Sequence, residues 1–301
     1  MNYRKLIENI CREEKIDFDL LSKNWVMALS KNNITHLISG YRFPLNDHAL
    51  GSVIDDKYAF YDLCKLKKLP IIEHHILFNP NSKLGENSFS LLKEYFYQYN
   101  ENVVLKPNLG TEGTDVFHIT NYNDLLDVTT KLFENNFSIS ICPFYKIDNE
   151  YRVIVLNNEI KLIYEKNKPI VIGDGIHTIK ELLIKLNPYY FNNFVFKEEY
   201  NKVLNKKEIF EYDWRFNLSK GATAKLVENN ELYKILSNFA LNVCKKINAK
   251  FISVDIIKCN NNFYLMEANS GVCINKVTNF IDKDLKTTKE IYREVILNMF
   301  K

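Results

Sequence analysis

The stretch Phe251 to Val272, FISVDIIKCNNNFYLMEANSGV, limits the fold more than any other part of the chain. Two runs of β-branched and aromatic residues are interrupted at Cys259 to Asn262 by small polar residues, the pattern of a β-hairpin. A turn centred on Asn261 makes Asp255 and Glu267 cross-strand partners, with Cβ atoms about 4.5–5.5 Å apart. Because side chains alternate along a strand, Asn269 shares a side with Glu267 and Ser253 with Asp255, and Phe263 and Leu265 fall on the face of Glu267. Two carboxylates beside apolar surface are costly unless something neutralises them. A hard cation such as magnesium does so, since it commonly takes one or two carboxylates together with substrate phosphates. The alternative is a solvated hairpin end whose charges hold nothing.

A second stretch is built for anions. Asn102 to Lys106 reads as a short apolar strand, VVLK, broken by Pro107, and the loop NLGTEG follows before a strand at Asp115 to Ile119. Gly110 and Gly113 free the backbone to approach a ligand, and successive amide groups form a concavity suited to phosphate oxygens. Lys106 precedes the glycines and the loop joins two strands, so this is a β-loop lid rather than a P-loop, which runs G-x-x-x-x-G-K-[ST] into a helix. An ordinary hairpin is the competing reading. Glu150 and Arg152 open a strand that turns at Asn157-Asn158; the register sets Arg152 opposite Ile163, so nothing across this hairpin neutralises it and it looks toward an anion. An exposed Glu150–Arg152 pair of little worth is the alternative. Arg215, Asn217 and Gly221 lie in the loop WRFNLSKGATAKL, and Arg42, Asn46 and His48 in the loop after a strand at Ile34 to Ile38 are either ligand contacts or solvated residues.

The 301 residues suffice for two or three subdomains, and 40 basic against 37 acidic residues leave a charge of +3, too little to argue for a nucleic-acid partner. The six cysteines show no C-x-x-C spacing, which fits a reducing, cytoplasmic setting; Met1 to Asp19 is charged, and no apolar run approaches the ~18 residues of a membrane span. Helical spacing predicts helices at Tyr3 to Glu14, Phe18 to Leu29 with Trp25 on the apolar side, Tyr58 to Lys67, Ser88 to Tyr97, Asn123 to Glu134, Glu231 to Ile247 packed under the hairpin, and Thr287 to Phe300. Strands are expected at Leu69 to Leu77, Ser138 to Tyr145, Val153 to Leu156, Glu159 to Tyr164 and Ile170 to Ile179. The aromatic and lysine-rich segment 187–213 reads as a lid or acceptor-pocket insertion. The sum is a mixed α/β (α+β) chain.

Taken in order, DK at 56–57, VVLKPNLGTEG at 103–113, EYR at 150–152, RFNLSKGA at 215–222, and VDII followed by LMEANSG resemble the ATP-grasp superfamily of carboxylate-amine ligases. VIGDGIHTIKELL is similar to the ligase regions of cyanophycin synthetase and of bifunctional glutathione-forming enzymes, so glutathione synthetase belongs to the same comparison. The resemblance covers about residues 55–280. It implies two α+β subdomains clamping ATP, a lid at about 78–142 and a C-terminal part at about 143–301, preceded by a small α/β substrate-side domain at 1–55. By that match Lys57 and Lys106 contact phosphates and Gly110, Thr111, Glu112 and Gly113 close over them. Cys142 with Pro143, Phe144 and Tyr145 forms the hinge against adenine, Glu150 binds ribose and Asn217 lies by the nucleotide. Arg152 and Arg215 face the transferred phosphate, and Asp255, Glu267 and Asn269 hold two magnesium ions, or manganese. Many relatives carry an acid in the hinge where this chain has Cys-Pro-Phe-Tyr.

The implied reaction joins a carboxylate and an amine, of amino-acid, peptide or small-metabolite kind, through an acyl phosphate. Phosphotransfer to a hydroxyl and nucleotide binding without turnover are the competing readings, and a homodimer is left open.

Overall fold

The structure, a computed structural model, describes residues 3–110, 113–186, 197–282 and 284–301. They divide into two compact units, Met1–Glu165 with Leu226–Lys301, and Lys166–Lys225.

The first unit opens with helix Tyr3–Glu13 and an antiparallel meander of β1 (Asp17–Leu21), β2 (Val26–Lys31) and β3 (Ile34–Ser39). The helix predicted at Phe18 to Leu29 is therefore a hairpin. Ser22, Lys23 and Asn24 all take positive φ and reverse the chain, and Phe18 pairs with Leu29 where a helix would have separated them by three turns. Trp25, expected on an apolar side, is 58% exposed. His48 begins the helix His48–Asp55, capped by Asp47, so the preceding loop is shorter than its composition suggests.

Helix Lys57–Leu66 follows, then an irregular stretch in which Ile71 bridges to Leu265, and β4 (His75–Phe78) is all that remains of the long strand expected from Leu69. Helix Ser88–Gln98, β5 (Val103–Pro107), β6 (Phe117–Ile119), helix Tyr122–Asn135 and β7 (Ser138–Pro143) complete a sheet of order β4-β7-β5-β6. Its core is one apolar cluster including Leu92, Phe96, Leu105, Leu132 and Ile141.

The second layer is a sheet in which β9 (Glu159–Asn167) neighbours β8 (Asn149–Leu156). Asn157 and Asn158, both at positive φ, make the tight turn between them. In the second unit β10 (Ile170–Ile172) pairs with β11 (Ile209–Glu211), beside helix Ile179–Leu186. Thr178 and Glu181 exchange hydrogen bonds as a capping box at that helix's start. β12 (Thr223–Leu226) leads back to the first unit and the helix Asn230–Ile247.

That helix buries Leu236, Ala240, Val243, Cys244 and Ile247 against Ile252, Val254 and Ile256 of β13 (Phe251–Cys259), as its spacing predicted. β13 pairs with β8 on one side and with β14 (Asn262–Asn269) on the other, and helices Asn275–Ile281 and Lys286–Met299 close the chain. One face of this sheet is thus committed to the core, which leaves Glu150, Arg152, Ser253 and Asp255 on the other.

Candidate functional site

Asn260 and Asn261 carry positive φ at the tip of the β13–β14 hairpin and Cys259 faces Asn262, so the turn is centred between those two asparagines rather than on Asn261 and by itself would set Asp255 opposite Met266. The register slips between Ile256, which faces Leu265, and Asp255, and the extra residue Met266 is what brings Asp255 opposite Glu267 and Ser253 opposite Asn269. Such a bulge inverts which face the following residues occupy. Phe263 and Leu265, expected beside Glu267, instead join the core with Ala268. The apolar neighbours on the Glu267 side are Tyr264 and Met266, clustered with Ile72, Ile257, Cys259, Tyr145 and Ile147.

Asp255 is fully buried, and its partner across β8 is Arg152. The guanidinium grips both carboxylate oxygens, Nε to Oδ1 at 2.6 Å and an Nη to Oδ2 at 2.5 Å. The expectation that nothing neutralises Arg152 fails, because β13, the strand on its other side, supplies the acid. Burial disfavours the charge of Arg152, and Asp255, Tyr164 and Glu267 outweigh it, raising its pKa further. Glu150, 4% exposed, pairs in register with Ile257, two residues from Asp255.

Lys57 is the first residue of its helix, fixed there because the Asp56 side chain caps Ala59 N–H at 2.8 Å. Its Nζ donates to the carbonyls of Gly110 at 2.6 Å and Asn108 at 3.3 Å, tying the helix start to the glycine loop. Burial lowers the Lys57 pKa and Lys106 adds to that, against the opposing pull of Glu267, Asp56 and Asp55. Lys106 is itself 8% exposed. Lys57 and Gly110 line one cleft with Asp55, Met266, Glu267 and Asn269. The sequence-predicted Lys57, the glycine loop and Glu267 thus meet in space, with Asp255 opposite Glu267 in the ladder.

Gly113 takes φ +63°, a conformation glycine adopts freely, whereas Thr111 and Glu112 lie outside the described residues. Pro143 ends β7; Phe144 stacks on His118 with ring centroids 3.8 Å apart, and the Tyr145 hydroxyl accepts from Glu73 N–H while its ring packs in the Met266 cluster. Arg215 and Asn217 belong to the second unit, where Arg215 is paired with Asp213 and the Asn217 side chain accepts from Ser219 N–H. Asn46 is structural: its side chain bonds the backbone of Lys250 and Phe251.

Sequence reasoning missed His74 and Asn108. His74 is 1% exposed, its Nδ1 3.0 Å from Ser140 Oγ, and burial together with Lys106 and Lys57 holds its pKa well below 6.5. Among the described residues, His74 Nε2, Asn108 Nδ2 and Asn269 Nδ2 are buried without a well-formed hydrogen bond. Unmade buried bonds are rare and costly, so their gathering around Lys57, Lys106 and the loop marks a place shaped for a polar ligand. The doublet His74-His75 was visible in the sequence, but only the fold puts it beside two lysines.

A folded chain that excludes a proton from His74 must lose stability as pH falls. Below about 6.5 the unfolded histidine binds a proton that the folded one does not, at up to about 1.4 kcal/mol per pH unit for that group. Urea unfolding between pH 7.5 and 5 should show the decline, and His74→Gln should flatten it in that window; an unchanged slope removes His74 as the source.

For a metal, the donors on hand are two carboxylates and an amide, and among the described residues no three acidic, histidine or cysteine side chains gather into a metal-sized group. That set fits a hard cation whose remaining ligands come from phosphate oxygens and water. Asn269 suits it, since its amide is unpaired and either orientation of O and N is open to it.

Residues 200–293 match the family model of the RimK-like ATP-grasp domain. The glutathione biosynthesis bifunctional protein of Listeria monocytogenes is 25% identical over 126 residues, 40% of this chain and 16% of that protein. Among solved structures, a bifunctional glutathione synthetase from Pasteurella multocida superposes with a TM-score of 0.53 at 15% identity, over 90% of this chain and 40% of that one. D-alanine–D-alanine ligase from Bacillus anthracis gives 0.53 at 13% identity, over 81% and 66%. The chain thus spans less than half of the bifunctional proteins it matches. The two-layered unit with its glycine loop and acid-bearing hairpin is the ATP-grasp fold, and this chain is similar to that superfamily's carboxylate-amine ligases.

Proposed function

We propose that the chain is an ATP-dependent ligase joining a carboxylate to an amine through an acyl phosphate, with an amino acid, peptide or small metabolite as substrate. The observation that carries this reading is Asp255 facing Glu267 in register while Glu267, Asn269, Lys57 and Gly110 line one cleft. In it the carboxylate oxygen attacks the γ-phosphorus, a new P–O bond forms and ADP leaves. The amine then attacks the acyl carbon, phosphate departs and the amine loses a proton.

Lys57 and Lys106 hold phosphate oxygens, and Arg152 steadies Asp255 and spreads positive charge toward the site. Magnesium, held by Asp255, Glu267 and Asn269, supplies charge neutralisation of the phosphates when bound. The apolar cluster of Ile72, Tyr145, Ile257 and Met266 offers the flat surface a base needs, with Glu150 near enough in the sheet to meet a ribose. Residues 78–142 would act as the lid that keeps water from the acyl phosphate. Arg215, Asn217, Thr111 and Glu112 enter by their match to the motif.

The experiment is incubation with ATP, magnesium and pools of amino acids and dipeptides. Amine-dependent ADP release and trapping of a hydroxamate by hydroxylamine are the expected results. A phosphate ester without hydroxamate turns the assignment to a kinase, and bound but unconsumed ATP turns it to a binding module.

A further inference from the structure

Arg42 lies far from the hairpin in sequence and against it in space. It forms an antiparallel bridge with Gly271, two residues past Asn269, and Tyr41 O accepts from Val272 N–H at 3.1 Å. Its Nε donates to Asp55 Oδ2 at 2.8 Å, and an Nη reaches the same oxygen at 2.7 Å. Asp55 is further engaged by the Ser270 backbone N–H at 2.9 Å and the Ser270 hydroxyl at 2.7 Å, and it lines the cleft that holds Glu267.

A carboxylate with that many donors is spent as a ligand. Its role is to fix the guanidinium, whose side chain stays 58% exposed. Arginine has five N–H donors in a rigid fork. Asp55 takes those of one flank, so the rest are presented to solvent in a preset orientation. Lys57 spends its ammonium on loop carbonyls and Arg152 its guanidinium on Asp255, so neither offers a comparable exposed fork.

We infer that Arg42 is a specificity-determining residue that binds a carboxylate of the substrate other than the one that reacts, an inference that rests on the ligase reading above. The fork matches a carboxylate bidentately, and a primary amide, which has one acceptor and an N–H₂ that opposes the guanidinium, is a poor substitute. Hydrogen bonds to a charged group contribute enough to change affinity roughly 10- to 100-fold.

The test uses the full chain with ATP and magnesium in two arms. Acceptor amines are supplied as amino acids and as their primary amides, and donors as diacids and as their mono-amides. In one arm the wild type should prefer the acid form by that factor through KM, and Arg42→Gln should lose the preference while KM for ATP stays unchanged. Arg42→Lys, which keeps the charge without the fork, should fall between, and thermal melting of both variants checks the fold. An Arg42→Gln protein that still discriminates in both arms overturns the inference, as does one that weakens acid and amide equally or changes only KM for ATP. A wild type that releases no ADP with any pool refutes the ligase reading itself and takes this inference with it.

Discussion

Glu267→Gln should lower magnesium-dependent ATP turnover on the order of 10²- to 10³-fold, the scale for removing one group that stabilises transition-state charge. The fold should survive. Glu267 is half-buried in the cleft and makes no hydrogen bond through its carboxylate among the described residues, so an amide of the same shape disturbs no contact that holds the hairpin. ADP release with saturating ATP, compared with urea unfolding of the same preparation, separates the two effects. Undiminished turnover would remove Glu267 from the metal site. Asp255→Asn is a less clean instrument for the same question, because it also strips the buried acid from Arg152.

The hairpin was legible because its chemistry is local: Asn260-Asn261 supplies the left-handed turn between two apolar runs, although alternation from that turn alone would pair Asp255 with Met266. The same local rule failed beyond the turn. One extra residue at Met266 exchanged the faces of Leu265 and Glu267, and no composition signal announces a bulge inside a hydrophobic run. The fate of Arg152 was hidden for a different reason. Hairpin register gives one neighbour of β8, but its second neighbour, β13, is about a hundred residues away and only tertiary pairing brings Asp255 there. Phe18 to Leu29 misled because Phe18, Leu21 and Leu29 satisfy a helical stripe, whereas Ser22, Lys23 and Asn24 turned out to reverse the chain. His74 and Asn108 carried no spacing signal at all, and burial of their unpaired atoms beside two lysines is what exposed them.

Arg152→Met should destabilise the ligand-free chain by about 3–5 kcal/mol at pH 7, the scale for removing one partner of a buried ion pair. Removing the arginine has the larger effect because Asp255 is 0% exposed, whereas the Arg152 side chain is 22% exposed and can turn to water if Asp255 is changed. The sign of the pH dependence distinguishes this from simple loss of packing. Losing the guanidinium removes one group that favours the Asp255 carboxylate, so the folded chain takes up a proton more readily than wild type and the deficit against wild type should shrink as pH falls. Adding Asp255→Asn to Arg152→Met should recover much of the loss, since the double change removes the charge as well as its partner. In the ligase reading, magnesium with ATP should also restore part of the stability of Arg152→Met, because a ligand that binds only the folded chain stabilises it and a bound cation would offset the Asp255 charge. Urea unfolding at pH 7 and pH 5 measures all of these, and a deficit under about 1 kcal/mol at pH 7, of the size found for exposed pairs, would mean that groups other than Arg152 carry the Asp255 charge.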